Sequence, residues 1–356
     1  MDLDELRRQI DQLDTQLVKL LNRRAEVVVQ VGQLKAANGT PIYAPDREKQ
    51  VVDRIVELNQ GPLLGKTLVA IWREMMSGSF ALEKPLRIAY LGPEGTNSHL
   101  VATEKFGASV EYEPVSMIAG VFDEVAREHA DFGMVPIENS TGGGVIDTLD
   151  AFVETDVKIY AEINRVIHHH LLANCPLERV ERVYSKPEVF AQCQRWLVSV
   201  GLADKTIPVA STAKAAELAR TESWTAAIGS TLAAELNNLK VICSNVEDNP
   251  NNITRFFVVA RQWAKRVGDD KTALMFTTAH RAGALAHVLD VFKTEGINLT
   301  FITSRPSKKR NWEYYFFVDA EGHIDDENLT RAVERCKEHC LELHVLGSFP
   351  RAPEST

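Results

Sequence analysis

The sequence predicts a multidomain chain: an all-α helical module, then an α/β module, then a smaller α+β module of ferredoxin-like order. Three observations carry this reading. Apolar residues recur at a helical period, with no proline, from Leu3 to Leu34. After Pro85, β-branched runs lead through Ser, Thr or Gly into helical stretches, and the pattern repeats. Beyond about residue 271 the runs fall in the order βαββαβ.

The composition narrows the function classes. A chain of 356 residues has room for two or three domains. Its 45% hydrophobic and 25% charged residues are ordinary for a soluble globular protein. A formal net charge of −9 and the lack of a basic cluster argue against nucleic acid as a partner. The N-terminus is acidic without an apolar signal core, and no run is long enough to span a membrane, so a cytoplasmic protein with no membrane partner is expected. The 5 Cys contain no CxxC, which argues against a disulfide framework or zinc site and for reduced thiols. Cys336 and Cys340 read as neighbours on a helix.

In the first module, residues 1–84, the apolar stripe runs through Leu3, Leu6, Ile10, Leu13, Leu17, Leu20, Leu21, Val27, Val28, Val31 and Leu34. Asn38-Gly39 stops it and Pro41 follows, as past a helix C-cap. The helix is therefore roughly 35 residues and about 50 Å long. A second helix starts at Pro45 and runs to about Leu58; a third runs from about Leu63 to Leu82. Helices so unequal cannot bury the long stripe within one chain, so a homodimer with intertwined long helices is expected. Arg24 interrupts the stripe, and Lys35 lies on the same face, about 20° away.

With Arg7 and Arg47-Glu48 these cations form a pattern that resembles the all-helical chorismate mutases. It covers Leu6-Arg7, Arg23-Arg24, the Val31-Gly32 and Lys35 run, the Pro41 to Arg47-Glu48 run, and Arg73-Glu74-Met75-Met76-Ser77 through Ser79 to Glu83. The resemblance implies a site that holds dianionic chorismate and stabilises charge on the ether oxygen as prephenate forms. Arg7, Arg24 and Arg47 would hold carboxylates, Arg7 from across the dimer. Lys35 and Glu83 would donate to the ether oxygen, Glu48 would take the ring hydroxyl and Ser79 would assist. Ala44 stands where some members have an Asp, which puts more weight on Glu48.

The central module, residues 85–264, repeats one junction. Arg87–Leu91 leads to Gly92-Pro93-Glu94-Gly95-Thr96; Met134–Pro136 leads to Ile137-Glu138-Asn139-Ser140-Thr141 and three glycines, then a helix near Val145–Val153. Ile207–Ala210 leads to Ser211-Thr212, and Ala226–Ile228 to Gly229-Ser230-Thr231. Hydroxyls and free backbone N–H groups at helix N-termini make anion sites, although each junction alone reads as an N-cap. Asn251-Asn252-Ile253-Thr254-Arg255-Phe256 opens a buried strand and delivers an amide, a hydroxyl and a guanidinium to its mouth. The glycine run has neither GxGxxG nor P-loop spacing, and His168-His169-His170 lacks the spaced ligands of a metal site. No cofactor and no metal is expected.

These motifs, with Tyr184-Ser185, resemble prephenate dehydratase. The resemblance implies two α/β lobes like a periplasmic binding protein, with the site between them. Thr254 would donate to the leaving hydroxyl, Asn139 and Ser140 would orient the ring, and Arg255 would sit near a substrate carboxylate. Thr96, Thr212 and Ser230 would line the cleft, with Glu94 and Glu138 less directly implicated. Asn97 replaces an aromatic usual in the family, and Lys186-Pro187-Glu188 replaces His-Pro-Gln.

The last module, residues 271–350, reads as strand Thr272–Thr278, helix Gly283–Lys293, strands Ile297–Ser304 and Tyr314–Asp319, helix Asp326–Cys340 and strand Leu343–Leu346. It resembles an ACT regulatory domain through Gly283-Ala284-Leu285 and Ser304-Arg305-Pro306. The resemblance implies a phenylalanine site formed by those residues and Asn298 between paired domains, with Thr303 in place of the usual Glu. Together the three resemblances imply a bifunctional chorismate mutase–prephenate dehydratase under phenylalanine feedback, with chorismate, prephenate and phenylalanine as its small-molecule partners. A helical module serving only as a dimerisation arm is disfavoured by Arg7, Arg24, Lys35, Arg47 and Glu48. A non-catalytic sensor is disfavoured by Thr254-Arg255-Phe256.

Overall fold

A computed structural model of the chain describes residues 2–38, 41–307 and 313–353. It divides into two compact units: Met1–Leu86 with Lys105–Glu111, and Arg87–Glu104 with Tyr112–Thr356. Among the described residues no helix is long and apolar enough to cross a membrane.

The first unit is built on three helices, α1 (Leu3–Asn38), α2 (Pro45–Leu58) and α3 (Gly65–Glu83). Helix α1 ends at Asn38, where the expected stop begins; Gly39 lies outside the described residues. Pro45 opens α2, where its missing N–H costs nothing. Gly32 lets α3 come close to α1, because a Cβ there would meet the Glu83 side chain. No residue of α1 is buried, and Leu3, Ile10, Leu13, Leu17 and Leu20 are all exposed. One copy of the chain therefore leaves the apolar stripe uncovered.

The second unit carries three sheets. The first orders Glu111–Val115, Arg87–Leu91, Phe132–Asn139, Ile253–Ala260 and Lys158–Val166, with Gly143–Gly144 paired to Phe132–Asn139. Arg87–Leu91 and Phe132–Asn139 are parallel, whereas Ile253–Ala260 is antiparallel to both its neighbours. The second sheet orders Lys240–Cys243, His170–Ala173, Thr225–Gly229, Arg182–Ser185 and Thr206–Pro208. Helices pack on each sheet, and the chain passes between the two lobes at 167–169 and again at 244–252. The strands on either side of residues 167–169, Lys158–Val166 and His170–Ala173, thus belong to different sheets.

The third sheet is the ferredoxin-like part. Its antiparallel order is Leu299–Pro306, Tyr314–Glu321, Asp270–Thr277 and Glu342–Pro350, backed by helices Ala284–Thr294 and Glu327–Lys337. Its open face shares one apolar core with the first lobe, joining Phe257, Val259 and Ile137 to Met275, Phe317 and Phe349. Gly347 permits this packing, because a Cβ there would collide with the Ile159 backbone. All the cysteines are free, and burial pushes the Cys336 thiol up to about 12.

Candidate active sites

In the helical unit, polar groups gather where the helices meet. Arg24 Nη1 donates to Ser79 Oγ at 2.8 Å, and Ser79 in turn donates to the Met75 carbonyl at 2.8 Å. Burial, and then the neighbouring Arg47, push the Arg24 guanidinium below its usual range. Two cations held together this way favour an anion between them. Lys35 Nζ donates to the Ile42 carbonyl at 2.8 Å and pairs with Glu83 Oε2 at 3.0 Å. Glu48 accepts from Tyr43 at 3.0 Å and pairs with Lys105 at 2.6 Å, both on Oε2. Arg7 stands apart on the exposed face of α1, 3.5 Å from Asp4. Arg24, Lys35, Arg47, Glu48, Ser79 and Glu83 are thus supplied by all three helices, while Arg7 is outside the cluster of its own chain.

In the dehydratase-like unit the centre is Asn139. Thr254 lies opposite it in the ladder, with a bulge immediately beyond Arg255. Asn139 Nδ2 donates to Thr254 Oγ1 at 2.8 Å and to Asn252 Oδ1 at 2.8 Å. Asn139 Oδ1 accepts from the Thr141 hydroxyl at 2.6 Å and from the Gly142 N–H at 2.9 Å. The amide is therefore locked in orientation. Because Thr254 Oγ1 accepts from Asn139, its own O–H is directed elsewhere and can donate. Ser140 staples the same corner: its N–H donates to the Ile253 carbonyl at 2.8 Å, and its Oγ accepts from the Ile253 N–H at 3.0 Å.

Sequence reasoning missed the next layer. Buried Asn252 donates to Gln192 Oε1 at 3.3 Å, and His169 Nε2 shares that oxygen at 2.7 Å. Burial drives the His169 ring below the ordinary histidine range. Glu247 accepts from His168 Nδ1 at 2.7 Å and from the His169 N–H at 2.9 Å. Burial raises the Glu247 carboxyl, but these hydrogen bonds outweigh it and the net direction is down. The triple histidine is thus part of a hydrogen-bonded strut between the lobes, ending at Thr254. Among the described residues no group of three or more His, Cys, Asp or Glu could hold a metal ion.

The other expected cleft residues sit beyond the carboxyl ends of strands, at or next to the starts of helices. Thr96 Oγ1 donates to the Leu91 carbonyl at 3.0 Å. Ser230 caps Thr231–Leu236 by accepting from Ala233 N–H at 3.1 Å, and its hydroxyl reaches across the lobes to the Gly95 carbonyl at 3.1 Å. Thr212 is buried behind the Ser211 cap. Gly95 N–H donates to His99 Nδ1 at 3.1 Å, and His99 stacks on Tyr90. So Asn139, Ser140 and Thr254 form one group, and Thr96, Thr212 and Ser230 gather at the neighbouring junctions.

Two expected site residues are held in ion pairs of their own. Arg255 was expected to meet a substrate carboxylate. Successive strand residues point to opposite faces, so Arg255 turns away from the face of Thr254. It is buried against Phe257 and Phe301 and ion-paired with Glu162 and with Asp319 of the third sheet. Lys271 adds a second cation on Glu162 at 3.0 Å. Burial raises the Glu162 carboxyl, but Arg255 and then Lys271 more than reverse this. Arg305, expected with Ser304 and Pro306 at one phenylalanine site, faces the first lobe and pairs with Asp150 at 3.2 Å. Ser304 and Pro306 lie on the other, exposed face of this edge strand. Gly283, at φ +80°, caps the helix that begins at Ala284 and Leu285, and Asn298 precedes the strand.

A helical unit with a polar cluster, α/β lobes with a locked Thr–Asn pair and a ferredoxin-like sheet define a multidomain enzyme. Family comparison agrees. The chain matches the chorismate mutase type II model over 6–84, the prephenate dehydratase model over 88–264 and the ACT domain model over 272–338. A bifunctional chorismate mutase/prephenate dehydratase of Aquifex aeolicus (strain VF5) is 43% identical, covering 99% of this chain and 98% of its own. One from Stutzerimonas stutzeri is 40% identical, covering 98% of each. The crystal structure of prephenate dehydratase from Arthrobacter aurescens in complex with L-Phe is 31% identical, with a TM-score of 0.70 over 75% of this chain and 90% of that one. The chain belongs to the bifunctional chorismate mutase/prephenate dehydratase family, and it is an enzyme with both activities.

Proposed function

We propose that the helical unit rearranges chorismate to prephenate and that the α/β lobes convert prephenate to phenylpyruvate, in phenylalanine biosynthesis in the cytoplasm. In the first step Arg24 and Arg47 hold carboxylates, joined by Arg7 of a second copy. Lys35 and a protonated Glu83 donate to the ether oxygen as its bond to carbon breaks and the new carbon–carbon bond forms. Glu48 accepts from the ring hydroxyl, and Ser79 holds Arg24 in place.

In the second step the electrons of the carboxylate–ring bond flow into the ring as CO₂ leaves. The ring carbon–oxygen bond breaks at the same time, and the departing oxygen takes up a proton to leave as water. Thr254 donates its hydrogen bond to that oxygen, while Asn139 and Ser140 orient the ring. Thr96, Thr212, Ser230 and helix N-termini receive the carboxylates. A threonine hydroxyl is a weak acid, so positioning and the aromaticity gained supply most of the driving force. The observation that carries this reading is the Asn139–Thr254 hydrogen bond, in which the threonine oxygen accepts and so keeps its own proton for another acceptor. Thr254→Ala tests it: the variant fed chorismate should accumulate prephenate with the mutase rate intact. Normal phenylpyruvate formation would remove Thr254 from the chemistry.

We further infer a homodimer and feedback by phenylalanine bound between ACT domains of two chains, near Gly283–Leu285, Asn298, Ser304 and Pro306. The uncovered α1 stripe and the open edge strand Leu299–Pro306 support pairing of two chains. Arg305 enters this site only by leaving Asp150, so effector binding competes with an existing ion pair. Calorimetry with phenylalanine should give saturable binding; no heat of binding would end the feedback reading.

A further inference from the structure

We infer that Lys105 is a positioning residue of the mutase site, supplied by a segment outside the helical module. The inference rests on the reading of Glu48 as the acceptor of the chorismate ring hydroxyl. Lys105 lies within the stretch matched by the dehydratase model, yet Lys105–Glu111 folds with the helical unit. Its ammonium sits 2.6 Å from Glu48 Oε2 and over the ring of Tyr43, at 5.7 Å from the centroid. Tyr43 donates to the same carboxylate oxygen at 3.0 Å. Tyr43 is itself clamped edge-on between Phe80 of α3 and Phe106, the residue after Lys105. The neighbouring backbone is pinned as well: Ala108 N–H donates to Glu74 and Ser109 N–H to Ser77.

This arrangement solves two problems. Glu48 is an anion in a pocket that must receive a dianion, and Lys105 cancels its charge at contact distance. Both Lys105 and Tyr43 take Oε2, which fixes the carboxylate plane and leaves Oε1 with no partner among the described residues to accept a substrate hydroxyl. Ala44, at the N-cap of α2, provides no side-chain hydrogen bond that could share the task. The mutase is therefore completed by a piece of sequence that a free-standing three-helix module lacks.

The test uses the full chain. Lys105→Met should lower mutase kcat/KM on the order of tenfold or more, the scale of one charge-assisted hydrogen bond. Dehydratase kinetics on added prephenate should stay as in the parent, and Lys105→Arg should recover most of the mutase loss. Glu48→Gln should impair the mutase, and Lys105→Met added to it should cost little more. Parent-like mutase kinetics in Lys105→Met, with Glu48→Gln impaired, overturn the role of Lys105 alone. Parent-like kinetics in Glu48→Gln overturn the assignment of Glu48 and this inference with it.

Discussion

On the proposed mechanism Thr254 acts only if its proton points at the substrate, and that depends on a neighbour. Asn139 spends one amide hydrogen on Thr254 and the other on Asn252, and its oxygen is held by Thr141 and Gly142. Asn252→Ala should therefore impair the dehydratase by roughly tenfold, with the mutase unchanged; a loss of about that size follows from freeing one buried hydrogen-bonded partner. The check is the prephenate rate of the purified variant, and a parent-like rate would make Asn252 merely structural. That Thr254, Asn139 and Ser140 stand at strand ends was legible from the strand pattern, while the roles proposed for them came from the resemblance. Asn252, Gln192 and His169 were not legible, because their roles come from partners far along the chain. The triple histidine was the available signal, and only its metal reading could be weighed from sequence. In the helical unit Glu83 accepts from Lys35, and an ionised carboxylate can only accept. If Glu83 donates in catalysis, Glu83→Gln should keep most of the mutase rate, because an amide also donates, while Glu83→Ala should lose it. An equal loss in both variants would exclude the donor role.

The strand Ile253–Ala260 carries two jobs on its two faces. One face presents Thr254; the other buries Arg255 between Glu162 and Asp319. Strand alternation put the two side chains on opposite faces, but nothing in the sequence said that the ACT-like sheet would cover the second. Asp319→Ala leaves Arg255 a buried cation short of a partner and should destabilise this unit by about 3–5 kcal/mol. Chemical denaturation checks this, and a loss under about 1 kcal/mol would show the pair to be dispensable. The sign for pH follows from Glu162. Its folded carboxyl lies below its ordinary value of 4.5, so it contributes stability above that range and loses it as pH falls further. Glu162→Gln should be less stable at neutral pH and should show a shallower loss of stability in acid. Two of the strand–cap–helix junctions were legible because Ser caps are local: Ser211 and Ser230 cap as their positions imply, whereas Val145 opens the helix Ile146–Glu154 without a side-chain cap.

At the scale of the whole molecule, the three modules were legible from period, breakers and element order, and the ferredoxin-like order is as expected. What one sequence could not show is where covering surfaces come from. The stripe of α1 stays exposed along Leu3, Leu13, Leu17 and Leu20 in a single copy. If two copies pair along this stripe as proposed, Leu13→Asp with Leu17→Asp should shift the chain from dimer to monomer in sedimentation, and the mutase should fail with it because the proposed site takes Arg7 from a second copy. A monomeric parent with full mutase activity would contradict that. The central claim is that one chain performs both reactions in series. The direct measurement is to give purified protein chorismate alone and follow chorismate and phenylpyruvate together. The account predicts that chorismate disappears and that phenylpyruvate forms after a lag while prephenate builds up. Loss of chorismate with no phenylpyruvate, or turnover of added prephenate with chorismate untouched, would contradict it.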